Sequence, residues 1–280
     1  MNLIQSVLMG IVQGLSEFLP VSSSAHLVFT SNFYKVFKNI PIAEQATEEV
    51  FFDIMLHLGT LIAVLIFFRK DVIEITKALF KAILKWDFSS HLAKLGLYII
   101  AGTVVTIILA LPFNEVANHL VFHPALVGGL LIVTGGVLFL SEYLSKKKST
   151  TKEVGLKQAL LIGLAQGLAV LPGFSRSGWT IATGLFTGLD RQTAARYSFL
   201  LSIPIILGAS MVYPLVKIDI HEAVTYNWYS IIIGTIVSGT VGYLCIKYFM
   251  KFISKFSLNI FGWYCIIMGI FTFLFFNVFK

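Results

Sequence analysis

Charge is what this sequence has least of. Only 12% of its 280 residues are Asp, Glu, Lys or Arg, while 57% are hydrophobic. A soluble domain carries about 25% charged residues to keep its surface in water, so a soluble globular protein is excluded. Cysteine is nearly absent too. Cys245 and Cys265 both fall within apolar runs. Two such thiols build neither a disulfide framework nor a metal-ligand spacing, and packing inside a span is their expected role. The stretch MNLIQSVLMG lacks a basic n-region and a small-residue cleavage site, so no cleaved signal is expected. A net charge of +7 could suggest nucleic acid. The basic residues instead cluster in a few connecting segments, which is the pattern of membrane topology, so no nucleic-acid partner is expected.

What the sequence does have is apolar length. Six runs, about 50–68, 91–111, 125–143, 196–214, 228–247 and 259–279, reach the roughly 20 residues that cross a bilayer core. Residues 70–87 differ. Val72, Ile75, Leu79, Ile83 and Trp86 form a helical stripe with lysines on the other face, which predicts an interfacial amphipathic helix. Two further stretches are too broken to span. Residues 2–33 carry Gln5, Gln13 and Glu17 and stop at Pro20, and residues 158–189 break at Pro172. Each predicts a re-entrant hairpin, because non-helical backbone at membrane depth persists only where protein or water satisfies it.

Of the 21 Lys and Arg residues, 16 lie in segments 69–94, 146–157, 191–196 and 247–255, while 34–49, 112–124 and 215–227 hold only Lys35, Lys38 and Lys217, against six acidic residues. The positive-inside rule places the first set in the cytoplasm. The six spans then alternate without conflict, both termini fall on the extracytoplasmic side, and the hairpins enter from opposite faces. The text itself repeats. MGIVQGLSEFLPVSSS (9–24) and IGLAQGLAVLPGFSRS (162–177) share G-x-x-Q-G-L, then Leu-Pro and a serine cluster. The expected fold is an all-α polytopic membrane protein, with six transmembrane helices plus two re-entrant helical hairpins in an inverted-topology repeat. Residues 1–145 form the first repeat and 146–280 the second, within a single membrane domain.

The hairpin tips carry the chemistry. Gln13 and Glu17 are four apart and share a helix face. Ser22, Ser23 and Ser24 follow Pro20 at an expected helix start, where hydroxyls cap exposed N–H groups and those groups bind anions. Ser23 and His26 are three apart, on one face. In the second tip, Arg176 offers a planar fork of donors suited to phosphate, flanked by Ser175 and Ser177. Gly173 and Gly178 permit tight backbone there. The spacing imitates a nucleotide P-loop, but Trp179 stands where lysine is required, which excludes one. Arg176 can also neutralise Glu17 in the empty state. A nucleophile candidate, a proton shuttle, a carboxylate and a phosphate clamp together form a phosphoryl-transfer set.

These residues resemble the bacterial undecaprenyl-diphosphate phosphatases, also called bacitracin-resistance proteins. The motifs are Gln13…Glu17 running into Ser22-Ser23…His26, and Pro172 to Gly178. FDIMLHLGT (52–60) is similar to a third family stretch and adds Asp53 and His57, which support the site from behind or simply pack. The resemblance implies hydrolysis of a polyprenyl diphosphate at the extracytoplasmic face of the bacterial cytoplasmic membrane. Its product is the monophosphate carrier reused in peptidoglycan synthesis. It also implies roles: Ser23 as nucleophile, His26 as general base or acid, and Glu17 to orient, deprotonate or hold a cation. Arg176, Ser175, Ser177 and Ser22, with Gly173 and Gly178, would bind the diphosphate. Dependence on Mg2+ or Ca2+ is implied, with Glu17 and Gln13 as ligands, although Gln13 weakens a two-carboxylate metal site. Membrane lipids and a second copy of the chain, as a homodimer, are the other expected partners. The rival function is a lipid-phosphate flippase using the same arginine and serines without cleavage.

Overall fold

The computed structural model describes residues 3–37, 47–145, 151–217 and 225–278. The lysines at 146–148, the chain ends at 1 and 280, and parts of the connections 34–49 and 215–227 lie outside the described residues. The described residues form eleven helices and no strand, with one isolated bridge between Thr151 and Leu189. In chain order they are α1 (Leu3–Ser16), α2 (Ser23–Phe37), α3 (Thr47–Phe67), α4 (Arg69–Lys85), α5 (His91–Leu120), α6 (Pro124–Ser145), α7 (Leu156–Leu168), α8 (Arg176–Phe186), α9 (Arg191–Lys217), α10 (Trp228–Ile253) and α11 (Asn259–Val278). Six of them, α3, α5, α6, α9, α10 and α11, are long and apolar enough to cross a membrane. The helices α1, α2, α7 and α8 have 14, 15, 13 and 11 residues. At about 1.5 Å per residue, none covers a core of about 30 Å alone.

One span differs from the sequence reading. The apolar run ends at residue 111, yet α5 continues through Pro112 to Leu120, 30 residues in all. An internal proline costs a helix about 3 kcal/mol. Here Ala117 is buried beyond it, and Leu120 and Val121 pack on the main core, so tertiary contact holds the extension. At about 45 Å, α5 is longer than a hydrocarbon core of about 30 Å, and Asn114 and Asn118 lie on its extension past Pro112.

Glycines set the close helix pairs. A Cβ on Gly10 or Gly14 of α1 would lie 2.7 or 2.8 Å from backbone oxygens of Gly234 and Ser238 of α10. On α7, Gly163 and Gly167 meet Gly102 and Thr106 of α5 in the same way, at 2.5 and 3.0 Å. Gly59 of α3 faces Gly239 of α10, and Gly128 and Gly135 of α6 face Gly269 and Gly262 of α11. Lipid tails are as apolar as leucine, so backbone approach rather than hydrophobic exclusion drives such pairing.

Two polar features lock the bundle. Glu142, at the end of α6, is 1% exposed and accepts from Arg191 Nε at 2.9 Å and Nη2 at 2.5 Å. It also accepts from the Leu258 amide at 2.8 Å, so α6, α9 and the α10–α11 connection share one carboxylate. Arg196 of α9 pairs with Asp71 of α4. At the centre, Phe199 of α9 packs edge-on against Phe18, at 5.5 Å between centroids, and touches Phe68 and Phe249. Phe18 follows Glu17, so this aromatic cluster anchors the first broken segment.

Candidate active site where the two broken segments meet

The first break follows directly from its sequence. The α1 hydrogen-bond ladder ends with the Glu17 amide on Gln13 O at 2.9 Å, and Pro20 prevents its continuation. Ser22 adopts φ +68°, an uncommon left-handed turn for a residue with a side chain. Its hydroxyl accepts from the Ala25 amide at 3.3 Å, capping α2, and from the Gly173 amide at 3.2 Å. The second break is built around Gly173, at φ +102°. Any Cβ there would also lie 2.6 Å from Val127 O and Leu130 Cβ of α6, so glycine is required twice. Thr134 of α6 holds this turn. Its hydroxyl donates to Gly173 O at 2.9 Å and accepts from the Ser175 amide at 3.3 Å and Trp179 Nε1 at 3.1 Å.

The serines of the second motif face inward. Ser175 Oγ accepts from the Gly178 amide at 3.1 Å and caps α8, and Ser177 Oγ donates to Leu19 O of the first tip at 2.9 Å. Both serines are 1% exposed, and Ser22 is 2% exposed. Of the hydroxyls expected to bind phosphate, those of Ser22 and Ser177 join the two tips, while that of Ser175 caps α8 and lies 3.3 Å from Ser177 Oγ. Gly173 and Gly178 shape the same junction: a Cβ on Gly178 would press on Ser175 Cβ at 2.9 Å.

Glu17 is the hub. It is 6% exposed. Its Oε1 accepts from Arg176 Nη2 at 2.5 Å; its Oε2 accepts from Ser23 Oγ at 2.6 Å and Gln13 Nε2 at 2.9 Å. His57 Nε2 lies 3.6 Å from the same Oε2. A carboxylate in so apolar a setting needs such partners, because removing one half of a buried pair costs about 3–5 kcal/mol. Two buried polar atoms here have no partner: Arg176 Nη1 and Gln13 Oε1. The arginine therefore holds Glu17 with one arm and has a free, desolvated donor on the other.

The expected Ser23–His26 pair is not a hydrogen bond in this arrangement. Ser23 points to Glu17. His26 Nδ1 faces Ser22 O at 2.8 Å and must carry the proton, since a carbonyl only accepts. Its Nε2 then accepts from Tyr264 OH of α11 at 2.7 Å, with the two rings nearly parallel. Tyr264 and Thr134 are site residues that the sequence reading missed. Each is a single hydroxyl inside an apolar span, and only its position opposite a helix break marks it. Asp53 and His57 of α3 line a cavity of about 220 Å³ beside the junction, with Ser24, Asn114, Asn118 and Pro172 among its other walls. His57 Nδ1 donates to Asp53 O at 2.8 Å, which turns Nε2 toward Glu17.

Gln13 and Glu17 fit a divalent cation poorly. Mg2+ and Ca2+ take six or more oxygen ligands. Here Glu17 has one oxygen on Arg176 and the other on two donors, which leaves Gln13 Oε1 as the only unengaged atom of the pair. A cation there would also sit against the guanidinium. Among the described residues no three His, Cys, Asp or Glu side chains gather as a metal-binding group.

Comparison with known proteins places this geometry in context. The family model described as bacitracin resistance protein BacA matches residues 6–271. The chain is 40% identical over 288 residues to the undecaprenyl-diphosphatase of Methanobrevibacter smithii, covering 98% of each chain. It is 42% identical over 282 residues to that of Desulfosudis oleivorans, covering 96% of this chain and 97% of the relative. It is 40% identical over 275 residues to that of Halothermothrix orenii, covering 96% of each.

Proposed function

Because the chain belongs to the bacitracin resistance protein BacA family, we propose that the junction of its two broken segments is the site of a membrane phosphatase. The activity is that of the relatives: hydrolysis of undecaprenyl diphosphate to undecaprenyl phosphate and inorganic phosphate, which recycles the lipid carrier for peptidoglycan synthesis and confers bacitracin resistance. The observation that carries the site assignment is Glu17, which joins the Ser23 hydroxyl and the Arg176 guanidinium on one carboxylate.

The roles follow from that arrangement. The free Nη1 of Arg176 takes an oxygen of the outer phosphate, in a low-dielectric setting where the contact is stronger than in water. Ser23 Oγ attacks the outer phosphorus while Glu17 Oε2, already its acceptor, takes the proton. The bond from that phosphorus to the bridging oxygen breaks, and undecaprenyl phosphate leaves as an anion. Water then attacks the phosphoserine. His26, with Nε2 as its accepting nitrogen, leaves Tyr264 to take the water proton; Glu17 returns its proton to Ser23, and inorganic phosphate departs. Ser22, Ser175, Ser177, Gly173 and Gly178 build the platform that aims Arg176. A divalent cation, Mg2+ or Ca2+, would supply further charge neutralisation.

Several larger features belong to the same reading. Residues 2–33 and 158–189 form re-entrant hairpins of an inverted repeat, 1–145 and 146–280. Reciprocal packing supports this: Gly10 and Gly14 of α1 on α10, and Gly163 and Gly167, their counterparts in the repeated text, on α5. The lysine bias supports a cytoplasmic membrane location with both termini outside. A flippase is the less favoured reading, since transport has no use for a hydroxyl donating to a buried carboxylate.

The test is inorganic phosphate release from undecaprenyl diphosphate by the purified protein. Ser23→Ala is expected to abolish turnover while lipid diphosphate still binds. If activity stays within a few-fold of wild type, water attacks directly and Ser23 is only a ligand contact.

A further inference from the structure

We infer that a cavity at the far end of α8 from Arg176 is a binding site for a phosphate-bearing anion, held by Lys152 and the free arm of Arg191. The site is separate from the tip junction and does not depend on the phosphatase reading. It measures about 430 Å³ and lies where the ends of α6, α8 and α10 meet the start of α9. Leu185 of α8 lines it, about 14 Å along that helix from Arg176. The lysine bias reads this end of the bundle as cytoplasmic.

A short backbone contact assembles the rim. The Thr151 amide donates to Gly188 O at 2.8 Å and the Asp190 amide to Thr151 O at 3.0 Å. Lys152 and Arg191 therefore each follow a residue of the same contact, and both line the cavity. Glu142 takes Nε and Nη2 of Arg191, and among the described residues no hydrogen bond reaches Nη1. Lys152 is exposed, and among the described residues no carboxylate pairs with it. The acids nearby are already satisfied. Asp190 accepts from the Thr193 amide at 2.8 Å and the Thr193 hydroxyl at 3.2 Å, so its charge is directed at the start of α9, whose dipole it offsets. Glu142 is held by Arg191 and the Leu258 amide, and Glu153 is exposed and does not line the space. What faces the cavity is an ammonium and one guanidinium arm, with the Gln192 amide and the Ser145 and Ser254 hydroxyls beside them. Lys251 and Lys255 flank Ser254 in the chain and add charge of the same sign. Such charge-assisted donors suit phosphate oxygens. Leu189 and Ile253, both buried, form an apolar wall. A basic pocket between helix ends on the cytoplasmic side suits the headgroup of an anionic phospholipid. Free inorganic phosphate offers the same chemistry.

Two measurements on the purified full chain separate these sources. Native mass spectrometry with dioleoylphosphatidylglycerol or dioleoylphosphatidylcholine tests the headgroup, and equilibrium dialysis against radiolabelled inorganic phosphate tests the free anion. Wild type is expected to retain a ligand whose binding weakens about fivefold in Lys152→Gln and at least about tenfold in Lys152→Glu. Arg191→Lys is expected to weaken it several-fold. Arg176→Lys, at the distant junction, is expected to leave it within about twofold. A preference for phosphatidylglycerol over phosphatidylcholine that disappears in Lys152→Glu would support the site with a lipid headgroup as its ligand. Lys152-dependent uptake of inorganic phosphate without that preference would support it with the free anion. Gel filtration and thermal melts control for folding, and the exposed Lys152 remains informative if Arg191→Lys does not fold. Equal binding by wild type and Lys152→Glu, or no binding of any probe by wild type, would overturn the site.

Discussion

Arg176 meets two demands that lysine meets only in part. It neutralises Glu17 through Nη2 and still offers Nη1, buried and unpartnered, to a second anion. A guanidinium does this because its donors form a rigid fork and its charge persists when water is removed; an ammonium is a single point and can lose its proton in an apolar cleft. Losing one charge-assisted donor at developing charge costs about 3 kcal/mol, or about 10²-fold in rate. Arg176→Lys is therefore expected to fold, with a melting temperature near wild type, and to lose at least about 10²-fold in kcat/KM. Near-normal turnover would mean that this arginine serves only charge balance with Glu17. The pairing of Glu17 with Arg176 was legible in the sequence, because two ionisable residues in apolar text need each other. The hydrogen bonds of the hydroxyls were not. Ser22 and Ser177 reach across to the partner tip and Ser175 caps α8, contacts that depend on left-handed backbone at Ser22 and on the start of α8.

Helices separate what periodicity can locate from what it cannot. The six spans were visible as runs of apolar length, and α4 as a lysine-faced stripe at 69–85 rather than 70–87. The extension of α5 was hidden, because proline and a fading apolar run both argue for an end at 111; burial of Ala117 and Val121 packing on the core are tertiary facts. Which glycine of a pair faces a neighbour was likewise hidden. A Cβ on Gly128 would meet Thr272 Oγ1 at 2.6 Å and Gly269 O at 2.8 Å, while one on Gly129 meets nothing within 4 Å. Adjacent residues of one helix should therefore respond oppositely. Gly128→Ala is expected to destabilise by about 1–3 kcal/mol through overpacking of α6 on α11. Gly129→Ala is expected to be neutral or to stabilise by up to about 1 kcal/mol through helix propensity. Thermal melts in detergent decide it; equal effects would mean that α6 and α11 do not approach as closely as described.

The whole molecule brings together two segments about 150 residues apart in sequence, as the Gly173–Ser22 and Ser177–Leu19 hydrogen bonds display. If the halves are inverted copies, charge fixes their orientation: single cysteines introduced at 1 or 280 are expected to react with an impermeant reagent in intact cells, and cysteines at 146–148 to be protected. The reverse pattern would overturn the topology. The deeper claim is that the halves make one site rather than two. A double-mutant cycle in kcat/KM across the junction, with Glu17→Gln, Arg176→Lys and the pair, measures this directly. Groups that act as a unit are strongly non-additive. The double variant is expected within about tenfold of the slower single, since either change already disables the shared carboxylate–guanidinium unit. A double variant whose loss equals the product of the two single losses, on the order of 10⁴-fold from two effects of about 10², would show Glu17 and Arg176 acting independently and contradict a single site at the junction.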